Sequence, residues 1–95
     1  MKYQVANSVY KDAAKLPKYI QNIAAEQIEN LKNARSLSEL ENVIPLKGTK
    51  KPYYRLSFND YRFILYFESE TDTVEVLSLT HRKDTYKKHK LPWRK

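Results

Sequence analysis

YYRLSFNDYRFILYFESETDTVEVLSLTHRKDTY, residues 53–86, is the stretch that decides the fold. It holds three short runs rich in β-branched and aromatic residues, separated by turn residues and closed by a cationic segment containing a histidine. In the first run Tyr54, Leu56 and Phe58 alternate with Tyr53, Arg55 and Ser57; in the second, Tyr61, Phe63, Leu65 and Phe67 alternate with Arg62, Ile64 and Tyr66. A period of two sends successive side chains to opposite faces of a sheet, so the apolar rows mark one face and the arginines and phenols share the other. The third run, Val74 to Leu79, leads directly into Thr80, His81 and Arg82, which delivers further cationic side chains at a strand end. Asn59-Asp60 reads as a two-residue turn, because both residues tolerate positive φ, and residues 69–73 form a longer acidic one. Neither connection is long enough for a parallel crossover, so the three strands are expected to form an antiparallel meander. Cations and phenols gathered on one side of a sheet point to a phosphate-bearing ligand.

The rest of the chain supports that sheet. Lys2 to Val5 is a short strand with Tyr3 and Val5 on one face, and Asn7 or Ser8 offers a helix N-cap. Val9, Ala13 and Leu16 recur at helical spacing, and Pro17 either ends that helix or opens the next. Ile20, Ile23, Ala24, Gln27, Ile28 and Leu31 then trace a stripe with one polar member. Two adjoining amphipathic helices form a hairpin that presents one apolar side to the sheet. Residues 34–52 read as a long connection anchored by Leu37, Leu40, Val43 and Leu46, with a helical turn through Glu39 to Asn42. After Arg82 a short helix from Asp84 to about His89 is stopped by Pro92. The expected class is α+β: an N-terminal strand and helix hairpin packed on an antiparallel sheet with a β-meander, in one domain over residues 1–95.

Ninety-five residues allow one modest core. There is no cysteine, which removes disulfides and thiolate metal sites and favours a reducing, cytoplasmic setting. Two histidines, both in the C-terminal part, and no His/Asp/Glu cluster at ligand spacing lead us to expect no metal and no cofactor. No run of about 18 apolar residues occurs, and the first residues carry no apolar stretch suited to export, so neither a membrane span nor secretion is expected. The formal charge of +7 is concentrated: residues 1–46 hold six Lys/Arg against five Asp/Glu, residues 47–95 twelve against six. A cationic surplus beside the sheet favours a polyanionic partner through counterion release, although the same charge also serves as a merely soluble surface. Lys47, Lys50 and Lys51, ahead of the first arginine strand, and Lys83, Lys87 and Lys88, beyond the last, are the candidates for the rim of an RNA groove.

Leu46-Lys47-Gly48, Tyr54-Arg55-Leu56, Asp60-Tyr61-Arg62 followed by an aromatic-aliphatic strand, and His81-Arg82-Lys83-Asp84 with Tyr86 occur in that order after the helical Leu16-Pro17-Lys18. In this arrangement the sequence resembles the RelE/ParE superfamily of toxins from prokaryotic toxin–antitoxin modules, over nearly the whole chain. The resemblance implies a RelE-like fold, a cognate antitoxin that covers the basic surface, and, for RelE-type members, metal-independent cleavage of mRNA in the ribosomal A site. There the 2′-hydroxyl of one nucleotide attacks the adjacent phosphate, leaving a 2′,3′-cyclic phosphate and a free 5′-hydroxyl. Such chemistry needs a proton acceptor, cations on the phosphorane and a proton donor for the leaving oxygen.

By the same resemblance Arg55 holds or polarises phosphate, Arg62 stabilises charge on the phosphorane, Arg82 lies near the leaving group, and Tyr86 stacks on a base or orients the 2′-hydroxyl. Ser57 departs from the pattern, since RelE has a lysine there that is a proposed proton acceptor. His81 is the candidate for that vacancy, because an imidazole titrates at about 6.5 unperturbed; its alternative is a hydrogen bond to the turn after the strand. Tyr86 can equally cover the core. Two other functions remain open: a ParE-type poison of DNA gyrase, and an RNA-binding or interaction module without activity.

Overall fold

The computed structural model of the chain describes residues 1–46 and 52–83. Lys47, Lys50, Lys51, Tyr86, Lys87, Lys88 and the helix expected from Asp84 lie outside the described residues. The alternating runs become β3 (Tyr53–Phe58), β4 (Tyr61–Glu68) and β5 (Thr73–His81), an antiparallel meander as expected. Asn59, with φ of 51°, takes the left-handed conformation in the first turn, and Asp72, also at 51°, does so in the second. The N-terminal strand β1 (Lys2–Val5) leads into the helices α1 (Asn7–Ala14) and α2 (Lys18–Asn33).

Two features differ from the expectation. The sheet is mixed, in the order β1-β5-β4-β3-β2, because β1 pairs with β5 in parallel; the two helices carry the chain from β1 to β2 at the opposite edge, and the meander returns it to β5 beside β1. The connection after α2 also holds a fifth strand, β2 (Val43–Pro45), antiparallel to β3 at the opposite edge, preceded by a 3₁₀ turn at Leu37–Glu39 instead of a helical turn ending at Asn42. Asn42 itself ties the layers together. Its carbonyl accepts from Ser57 N–H (3.0 Å), and its side-chain amide donates to Ser57 O and to Gln27 Oε1, both at 2.9 Å. That accounts for the one polar residue in the α2 stripe.

The apolar rows meet the helices. Leu31, Leu56, Phe63, Leu65, Val74 and Val76 are fully buried, with Val9, Ile20 and Ala24 closing the cluster from the helix side. Truncating a buried leucine such as Leu31 to alanine costs about 2–5 kcal/mol in comparable cores. Pro17 occupies the cap before α2, and its carbonyl accepts from Ile20 and Gln21.

The start of α1 has a second task. Ala6, not Asn7 or Ser8, is the N-cap residue, and the Ser8 hydroxyl donates to Leu77 O at 2.6 Å. Between Ile64 and Leu65 the β4–β5 register shifts: Ile64 faces Ser78 whereas Leu65 faces Val76, which leaves Leu77 as the extra residue of a β-bulge. Asp12 Oδ2 accepts from Leu79 N–H at 3.1 Å, and Ala6 N–H donates to Val76 O at 2.9 Å. Helix α1 thus supplies partners for backbone groups on either side of the bulge. Replacing Asp12 by alanine is expected to cost about 1–3 kcal/mol, since it leaves the Leu79 N–H without its charged acceptor. The loss should show as a lower urea midpoint at unchanged slope, with a smaller loss for Asp12→Asn; a midpoint unmoved by Asp12→Ala would mean that the bulge does not need the carboxylate.

Candidate active site

The face of the sheet turned away from the helices is organised in rows. Thr80, Arg62 and Ser57 lie side by side across β5, β4 and β3; Ser78, Ile64 and Arg55 form the next row, and Glu75, Tyr66 and Tyr53 the third. Arg62 is therefore diagonal to Arg55, a separation of about 7–8 Å for such neighbours. Both arginines are half-buried, and Ile64 between them and Ser78 is 0% exposed. Arg82 follows β5 at the end of this face, where its backbone N–H donates to Asp60 O (2.7 Å) and its guanidinium lies 3.7 Å from Asp60 Oδ1. Both side chains of that ion pair are about 60% exposed, so it contributes little to stability and leaves Arg82 able to exchange Asp60 for another anion. Guanidinium groups suit phosphate because their fork of N–H donors matches two oxygens at once.

The structure does not bring His81 to these arginines. His81 pairs with Tyr61 in register and packs against its ring edge-on, with centroids 5.2 Å apart, on the helix side of the sheet. It lines a cleft of about 210 Å³ with Asp12, Lys15 and Leu16 of the first helix and its turn. Its Nδ1 accepts from the Lys83 N–H at 3.2 Å, the hydrogen bond to the following turn that was the alternative to catalysis. The bulge at Leu77 is the reason. With an unbroken period of two, His81 would share a face with Leu79, Leu77 and Glu75, and Glu75 stands on the arginine face; one inserted residue moves Leu79 into the core and carries His81 with it. The signal in the sequence is the adjacent apolar pair Val76-Leu77, where the alternation of Val74-Glu75-Val76 resumes out of phase as Leu77-Ser78-Leu79.

Lys83 is exposed after the last strand. Thr80, buried beside Arg62, and Glu75, beside Tyr66, also belong to the face turned away from the helices. Tyr66 meets Tyr53 edge to face, with centroids at 5.2 Å. Partial burial raises the Tyr66 phenol above its ordinary value of 10.0, reinforced by the charge of Glu68, by Tyr53 and by a hydrogen bond to Glu68.

No family model and no curated protein matches the sequence. Solved structures do. The toxin–antitoxin complex RelB–RelE of Methanococcus jannaschii superposes with a TM-score of 0.71 at 27% identity, covering 88% of this chain and 95% of that one. The RelE–RelB complex of Pyrococcus horikoshii gives 0.69 at 27% identity, over 85% and 93%. A YoeB/ParE toxin from Agrobacterium tumefaciens shares the fold at 0.63 and 20% identity, over 85% and 98%. Sheet order, helix pair and these similarities define a toxin of the RelE/ParE superfamily. Of these structures the two RelE chains match at 27% identity and the YoeB/ParE toxin at 20%.

The Tyr66 environment gives a direct test of this face. Ultraviolet titration of wild type against Tyr66→Phe should isolate a phenol that ionises above pH 10, and Glu68→Gln should bring it down. Because the folded chain keeps this proton where the unfolded chain has lost it, stability should fall as pH rises above about 10, less steeply in Tyr66→Phe. A phenol at or below 10 would refute the described packing.

Proposed function

We propose that the chain is the toxin of a type II toxin–antitoxin pair, and that it cleaves mRNA on the face of its sheet turned away from the helices, in the ribosomal decoding site. The observation that carries this reading is the cationic constellation itself: Arg55 and Arg62 diagonal on neighbouring strands, with Arg82 at the end of the same face. In the reaction the 2′-oxygen of one nucleotide bonds to the adjacent phosphorus and the bond from phosphorus to the 5′-oxygen breaks. The 2′-hydroxyl loses its proton and the 5′-oxygen gains one. Arg62 and Arg55 hold the phosphate oxygens as charge accumulates, and Arg82 releases Asp60 to meet the leaving side. Arginine stays protonated, so these residues stabilise charge and do not accept the proton.

In this reading His81 takes no part in the proton transfer, which its packing against Tyr61 on the helix face supports. Tyr86 stacks on a base or orients the 2′-hydroxyl, while Lys47, Lys50, Lys51, Lys83, Lys87 and Lys88 follow the RNA backbone. A cognate antitoxin covers the same cationic face, in keeping with the RelB–RelE complexes that share the fold.

Primer extension on a translated mRNA, with and without ribosomes, tests this. Arg62→Ala should slow cleavage about 10²–10³-fold, the usual cost of removing one preorganised charge-stabilising group, whereas His81→Ala should stay within a few-fold of wild type. Cleavage abolished by His81→Ala would return the imidazole to the mechanism. Growth arrest without any cut would refute the nuclease and favour the gyrase poison.

A further inference from the structure

Ser57 stands directly opposite Arg62 on the face turned away from the helices. Both backbone groups of Ser57 point away from β4: its N–H donates to Asn42 O at 3.0 Å, and its carbonyl accepts from Asn42 Nδ2 at 2.9 Å. Ser57 and Arg62 therefore form an antiparallel pair that exchanges no backbone hydrogen bond, the kind in which Cα atoms are about 4.5 Å apart and side chains stand closest. The place of Ser57 beside Arg62 is thus set from the β2 side.

The residue that sets it lies just outside a strand. Val43, the first residue of β2, pairs with Leu56, and Asn42 is one step short of it. A ladder residue opposite Ser57 would donate its own N–H to the Ser57 carbonyl; Asn42 offers its side-chain amide there. The same amide nitrogen, which carries two N–H donors, also donates to Gln27 Oε1 at 2.9 Å. Gln27 is the polar member of the α2 stripe, so the tie takes a place that an aliphatic side chain would give to the core. One asparagine joins the end of β3 to the helix layer.

We infer that Asn42, oriented by Gln27, is a positioning residue for Arg62, because it holds the cross-strand neighbour Ser57 at the row where that guanidinium meets phosphate. This rests on the reading of Arg62 as a phosphate-holding residue, and adds a route by which a helix on one side of the sheet governs the geometry of the reaction on the other. Asn42 itself touches no phosphate. Its effect passes through the backbone of Ser57: when the end of β3 is released, Arg62 loses a fixed neighbour, and charge stabilisation without reorganisation needs fixed neighbours.

Cleavage of ribosome-bound mRNA by the full chain tests this, with the rate at saturating substrate and KM measured separately and each rate divided by the folded fraction from circular dichroism. Asn42→Ala should lower the saturating rate about 10-fold, since a misplacement of about 1 Å can cost about 100-fold. KM should stay within about 2-fold, as expected for an interaction made only in the transition state. Gln27→Ala should lower the rate about 3-fold, and Gln27→Glu, which keeps the acceptor for Asn42, should restore it. Added to Arg62→Ala, Asn42→Ala should cost less than about 2-fold, because residues that act through one another are not additive. Ile20→Val, a small core truncation that also lowers stability, should keep the wild-type rate. A wild-type rate in Asn42→Ala or Gln27→Ala, or an undiminished loss on the Arg62→Ala background, would overturn the positioning role and leave the nuclease reading standing. Absence of cleavage by wild type would overturn both.

Discussion

The clamp between α1 and the β5 bulge is the constraint on which the arrangement of this molecule depends. A bulge leaves backbone groups out of the ladder, and such groups are costly when buried without partners. Ser8 and Asp12 meet that need at Leu77 and Leu79, while the Ala6 N–H closes the adjacent carbonyl of Val76. The helix that seals the core therefore also sets the register of the strand that ends at His81 and leads into Arg82. A one-residue slip in β5 would exchange every side chain between core and solvent from Ser78 onward.

That register separates two chemistries. On the helix side, His81, Tyr61, Phe58 and Phe63 form a chain of ring contacts at 5.2–6.1 Å that continues into the core. On the open side, Arg62 and Arg55 stand among Thr80, Ile64 and Ser57, and the backbone of Ser57 is held by Asn42. The arginines are thus placed on strands whose positions are fixed by core packing behind them, which is the condition for charge to be stabilised without reorganisation. The same strands carry Tyr66, Glu68 and Glu75 at their other end, so the open face has a direction as well as a charge.

Similarity to the archaeal toxins at 27% identity shows how little of the sequence the fold demands. What must persist is the alternating pattern, the helix stripe and the connections between them. Arg55 and Arg62 enter that pattern only as residues off the apolar rows. They can vary while the fold stays, and so the fold alone does not decide between a nuclease and a relative that has kept only the scaffold.

Much of the architecture was legible in the residues. The alternation in Tyr53–Phe58 and Tyr61–Phe67 has one meaning, because only a strand with one buried face makes use of it, and the 3.6-residue stripe of α2 is equally unambiguous. Arg55, Arg62 and the two tyrosines could be assigned to one face on that basis. The parallel pairing of β1 could not, since four residues with three exposed side chains carry no mark of their neighbour. Nor could β2, three residues long and recognised only by its ladder to β3. The face of His81 turned on tertiary structure, since the adjacent apolar pair Val76-Leu77 is compatible with a bulge but does not require one. Local sequence sets a period, but an inserted residue is stable only where another element satisfies the backbone groups it releases, and here those partners, Ser8 and Asp12, lie almost seventy residues away in the chain.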